Sequence, residues 1–114
     1  MSTIIVAGCE EDKQFERAEA LAYHLATNLP DYTIEINAIP RAEWDAYRLS
    51  LYTENDWAER RARDRKIKQC EELSQIIWRE SGELIGDTED YLKLMRHSYG
   101  EEVVKAGLFR AEGK

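Results

Sequence analysis

The stretch Gln75-Ile76-Ile77-Trp78-Arg79-Glu80-Ser81-Gly82-Glu83-Leu84-Ile85-Gly86-Asp87-Thr88 decides how the chain is read. Its β-branched and aromatic run, the Ser81-Gly82 turn and the second apolar run predict a β-hairpin. Asp87 and Thr88 then open a helix that carries Tyr91, Leu92, Met95 and Tyr99 at helical spacing.

Upstream, Thr3-Ile4-Ile5-Val6-Ala7-Gly8 reads as a buried strand closed by glycine. Phe15, Ala18, Ala22, Leu25 and Leu29 recur every three or four residues, which gives one apolar helical face. Asp12 stands where an N-cap belongs, and Asn28-Leu29-Pro30-Asp31 is a stop signal. Tyr32, Ile34 and Ile36 alternate with polar residues, predicting a strand with one polar face, and Pro40 breaks it. Trp44, Tyr47 and Leu51 mark a second helix that ends near Asn55. The charged segment from Trp57 to Leu73 reads as helical, anchored by Ile67 and Leu73. Trp44, Trp57 and Trp78 are read as core or near-core residues.

The order β-α-β-α-β-β-α, a βαβ unit followed by a hairpin and a covering helix, is that of an α/β domain with a thioredoxin-like sheet. Ferredoxin-like and other small mixed sheets satisfy the same order. The expected boundaries are a domain over 1–99, a charged helical insert at about 58–73 and a C-terminal tail over 100–114.

Composition narrows the function classes. A chain of 114 residues suits one domain that needs no metal or disulfide to fold. The net charge of -7 argues against nucleic-acid binding, which wants a basic footprint. The apolar run Ile4 to Ala7 is far too short to span a membrane. Cys9 and Cys70 form no CxxC, and two isolated thiols fit a reducing compartment, so a cytoplasmic location is expected. His24 and His97 lack the spacing of a metal site and are read as helix-surface residues. Acids at Glu10, Glu11 and Asp12 suit a helix N-terminus better than a cation site. No metal or other cofactor is expected.

The last third resembles a glutaredoxin. Gln75-Ile76-Ile77-Trp78, Gly82-Glu83-Leu84-Ile85-Gly86-Asp87 and Asp90-Tyr91-Leu92 are similar to that family's cis-proline strand, Gly-x-x-Ile-Gly-Gly turn and final helix. A wider collinear similarity, over about residues 3 to 99, is to the glutaredoxin-like N-terminal domain of the animal malate dehydrogenase type 1B proteins. It runs through Ala7-Gly8, Leu29-Pro30-Asp31-Tyr32, Trp44, Asn55-x-Trp57 and Ile76-Ile77-Trp78-Arg79-Glu80. The dehydrogenase activity does not carry over, because this chain has no G-x-G-x-x-G.

On that resemblance, Asp12-Lys13-Gln14-Phe15 is the redox turn, with Asp12 in place of the nucleophilic cysteine and Phe15 in place of the second. A glutaredoxin needs a thiolate at that helix terminus, and a carboxylate cannot exchange disulfides. Gln75 or Ser74 stands where the cis-proline belongs, and that peptide bond is expected to be trans, since a cis bond before a non-proline residue costs about 2.5–4 kcal/mol. Asp87 replaces the second glycine of the turn and would repel a glutathione carboxylate. The resemblance implies a thioredoxin-fold domain without thiol catalysis, serving as a scaffold or interaction subunit of a large assembly. Since the animal relative belongs to sperm and cilia, it implies the ciliary axoneme, with tubulin or axonemal proteins as partners. Two alternatives are a glutathione-linked thiol protein or sensor using Cys9, and an accessory subunit of a mitochondrial respiratory complex. Cys9 itself reads more simply as a small buried residue ending a strand. Glu71 and Glu72 are expected to raise the Cys70 pKa.

Two features are candidate partner surfaces. Arg60, Arg61, Arg63, Arg65, Lys66 and Lys68 crowd one segment of an acidic chain and suit an acidic protein partner. The same segment, if helical, would be laced by the pairs Glu59–Arg63 and Asp64–Lys68. The tail residues Leu108 and Phe109 are the second candidate.

Overall fold

The computed structural model describes residues 3–105. Nine elements follow one another: β1 (Ile4–Cys9), α1 (Lys13–Asn28), β2 (Ile34–Ile39), α2 (Arg41–Glu54), α3 (Trp57–Arg63), a 3-10 turn (Cys70–Glu72), β3 (Gln75–Arg79), β4 (Leu84–Gly86) and α4 (Thr88–Lys105). The strands form one mixed sheet in the order β2-β1-β3-β4. β1 runs parallel to β2 and antiparallel to β3, and β3 runs antiparallel to β4. This is an α/β domain, and each predicted strand is present.

Every residue of β1 is buried, because this central strand is covered on both faces. Alternate side chains enter separate cores. Ile4 and Val6 join Phe15, Ala18, Leu21, Ala22 and Leu25 of α1 and Tyr91, Leu92, Met95 and Val103 of α4. Ile5, Ala7 and Cys9 point the other way, into a cluster with Trp44, Tyr52, Trp57, Leu73, Ile76 and Trp78. The second core is aromatic: Trp57 meets Tyr52 and Trp78 edge-on, with ring centroids 5.7 and 6.1 Å apart. In the first core, Tyr32 and Tyr91 share a 2.6 Å hydrogen bond between their hydroxyls, and the Tyr32 hydroxyl also donates to Met95 Sδ. Burial pushes the Tyr32 phenol up to about 12, so the pair stays neutral.

Two expectations change. The segment from Trp57 to Leu73 is not one helix. α3 ends at Arg63, and an extended Asp64 leads into a non-helical stretch before the 3-10 turn. Asp64 accepts from the backbone N–H of Lys66 instead of pairing with Lys68, and among the described residues no ion pair joins Glu59 to Arg63. Three arginines, Arg60, Arg61 and Arg63, crowd so short a helix, and Asp64 favours a turn after it. The second change is at the far end. α4 passes the 99/100 boundary with a kink at Tyr99 (φ -139°) and continues to Lys105, burying Val103 completely. Residues 100–105 therefore pack as part of the domain. Leu108 and Phe109 lie outside the described residues.

Candidate functional site

The chain enters α1 at Asp12, whose extended backbone and side chain form the N-cap: Oδ1 accepts from the Gln14 N–H at 2.9 Å. Its second carboxylate oxygen accepts from Nε2 of Gln75, the first residue of β3. Gln75 is 4% exposed, so its amide must find partners inside the protein. Its Oε1 accepts from the Thr88 N–H at 3.1 Å, and the Thr88 hydroxyl donates to the Gln14 carbonyl at 3.0 Å. One ring of hydrogen bonds thus ties the starts of α1, β3 and α4. Asp12 and Gln75, far apart in the chain, meet here. No peptide bond among the described residues is cis.

Phe15 belongs to the core. Its ring lies against Gly8 so closely that a Cβ on that glycine would sit 2.5 Å from the ring. Phe15 therefore fills space between α1 and β1.

Asp87 and Asp90 form a capping box at the start of α4. Asp87 accepts from the Asp90 N–H at 3.1 Å, and Asp90 from the Asp87 N–H at 3.2 Å. Lys68 Nζ bridges both carboxylates, at 2.9 and 3.1 Å. Burial opposes ionisation of Asp87, but the Lys68 ammonium and the Asp90 N–H outweigh it and hold the carboxyl below its usual range. Burial likewise opposes the charge on Lys68, and its two carboxylate partners reverse that and raise its pKa.

This coupling sets an acid dependence. A depressed Asp87 stabilises the fold above the unfolded carboxyl pKa near 4, and that contribution is lost as pH falls through the lower folded value. Removing Lys68 with Lys68→Met should cost about 1 kcal/mol near neutrality, a figure discounted for the lysine's exposure. The gap to the parent protein should begin to narrow in urea titrations as pH falls below about 4, and close only once pH has passed below the depressed pKa that Asp87 has in the fold. A gap that persists at acid pH would assign the loss to packing.

The basic segment divides. Arg60 Nη1 donates to the Gly82 carbonyl at 3.1 Å, beside the Trp57 Nε1–H bond to the same oxygen at 2.9 Å. Together they hold the β3–β4 turn, where Gly82 takes a φ of +110° that L side chains avoid. Lys68 is spent on the capping box. Arg61 lines a groove of about 460 Å³ with Leu49, Tyr52, Gln69 and Cys70, and its Nε is buried without a hydrogen-bond partner. Arg63, Arg65 and Lys66 are exposed. Those three cations, together with the exposed Arg60 beside them, make up the outward basic surface.

Cys9 is 4% exposed and belongs to the aromatic core on the face opposite α1, so its thiol is turned away from the Asp12 cap. Cys70 is half-buried, and burial followed by Glu71 and Asp45 pushes its pKa up against the pull of Arg48. His24 lies on α1 as expected, and its Nε2 reaches Glu102 on α4 at 3.2 Å. Among the described residues no group of three or more His, Cys, Asp or Glu side chains is placed to hold a metal ion, and no helix is long and apolar enough to cross a membrane.

The Asp87–Asp90 spacing was a readable sign of the capping box, but nothing local pointed to Lys68 as its cation or to Thr88 as a link in the ring. Comparison with protein-family models, curated proteins and solved structures returns no match.

Proposed function

We propose that this chain is a thioredoxin-like domain of glutaredoxin type that has given up thiol chemistry and serves as a protein-interaction scaffold in a larger assembly. The observation that carries the reading is the closed ring through Asp12, Gln75 and Thr88. Donors that would greet an anionic substrate at two helix N-termini are already taken by the protein's own side chains. The strand order β2-β1-β3-β4, with α1 and α4 packed on one face and α2 on the other, supports the fold assignment. An acidic protein surface is the proposed partner, met by Arg63, Arg65 and Lys66. On the resemblance noted above, the assembly proposed is the ciliary axoneme, with tubulin as the acidic surface.

The reading is tested by thiol chemistry and by binding. Cys9 should resist a thiol-specific reagent in the folded protein and react at once in denaturant, and a glutathione mixed disulfide should not turn over. Rapid labelling of folded Cys9 together with such turnover would replace the scaffold by a thiol enzyme. In co-sedimentation with microtubules, combined charge reversal of Arg63, Arg65 and Lys66 should weaken binding at least about tenfold. Undiminished binding would remove that surface from the proposal.

A further inference from the structure

The sheet has two edges, and they are unequal. β4 is a three-residue strand whose end is tied to the α4 cap, whereas β2 presents six residues, Ile34-Glu35-Ile36-Asn37-Ala38-Ile39. Because Ile4 N–H donates to the Thr33 carbonyl and Glu10 N–H to the Ile39 carbonyl, odd-numbered residues of β2 direct their backbone groups at β1. Ile34, Ile36 and Ala38 therefore turn their N–H and C=O groups outward. Among the described residues no hydrogen bond reaches them from outside the sheet. Few of the devices that usually blunt an edge are present: β2 has no lysine, no proline and no bulge, it carries three isoleucines, and Glu35 is its one charge.

We propose that the β2 edge pairs with the β2 edge of a second copy, antiparallel and centred on Ile36, joining two sheets into one. The side chains choose this register. Centred on Ile36, each free N–H and C=O of Ile34, Ile36 and Ala38 meets its counterpart, and the bulky Ile34 faces the small, exposed Ala38 of the other copy. Glu35 then lies opposite Asn37 of the second copy, whose amide can donate to a carboxylate. A register shifted by one position, centred on Glu35, sets two carboxylates face to face and leaves Ala38 unpaired. Shifted the other way, onto Asn37, the strands leave Ile34 unpaired. Charge and hydrogen-bond count agree on a single, self-complementary arrangement, which is what a two-fold contact requires. Edge pairing alone buries little area, so the dimer is weak and concentration-dependent.

Sedimentation velocity over a wide concentration range, with amide hydrogen exchange on the same samples, tests this. The expected result is a reversible dimer together with rising protection of the Ile34, Ile36 and Ala38 amides as concentration increases. Ala38→Lys, at an exposed side chain, should weaken dimerisation at least about tenfold without unfolding the protein. Asn37→Glu should weaken it too, by setting like charges across the contact, and adding Glu35→Lys to the same chain should restore it. A protein that stays monomeric throughout, or a dimer indifferent to Ala38→Lys, would overturn the proposal. So would protection of these amides in a monomer, since the edge would then be occupied by something other than a second copy.

Discussion

Trp57→Ala should be the most damaging single truncation in the described domain, with a loss of about 3–5 kcal/mol. Trp57 is fully buried at the centre of the aromatic core, edge-on to both Tyr52 and Trp78. Truncation opens a large cavity there and forfeits both ring contacts. It also deletes the Nε1–H bond to the Gly82 carbonyl, loosening the turn that joins β3 to β4. Urea unfolding should show a much lower midpoint, and thermal melting a fall of roughly 10–20 °C for a chain of this size. Trp57→Phe separates the two contributions. It keeps most of the ring volume and loses the hydrogen bond, while Arg60 still serves the Gly82 oxygen. Its cost should be about 1–2 kcal/mol. Equal losses in the two variants would mean that the turn contact, and not the core, holds this half of the molecule.

Gly8→Ala should cost about 2–3 kcal/mol, a large effect for one methyl group. Three carbons of Phe15 lie within 2.8 Å of where the new Cβ would stand. Neither neighbour can yield easily, since Gly8 is in the central strand and Phe15 in the first turn of α1, under the Asp12 cap. The double variant with Phe15→Leu supplies the check. A smaller side chain makes room for the methyl, so the two substitutions together should cost less than the sum of each alone. Strict additivity in denaturant titrations would show that the glycine acts through backbone freedom and not through contact with the ring.

Much of the α/β framework was legible because it rests on local periodicity. The apolar face of α1 needs only neighbours three and four residues apart, and Phe15, Ala18, Ala22 and Leu25 are all buried there. The Asp12 cap needs only the next two residues of chain. The tight turn at Gly82 and the helix beginning at Thr88 were readable for the same reason. That the first helical cap carries the carboxylate of Asp12 and not a thiol is likewise a fact of sequence alone. The α3 segment was misread because charge density says little about where a short helix stops when it has few core anchors. It ends at Arg63, where Asp64 turns extended and accepts from the Lys66 N–H.

By itself, then, the sequence determined the order of helices and strands, their caps and the apolar residues they contribute, since each depends on spacing within one element. Only the tertiary structure decided which partners those elements find. It turned Cys9 into the aromatic core, joined Asp12 through Gln75 to Thr88, and engaged Arg60 with the β3–β4 turn and Lys68 with the α4 cap. Those contacts join residues that no local period relates, and their geometry follows from how the sheet and its two helical layers pack. A side chain's periodicity tells which face it takes, whereas the face of the neighbouring element it meets is fixed only when the chain has folded.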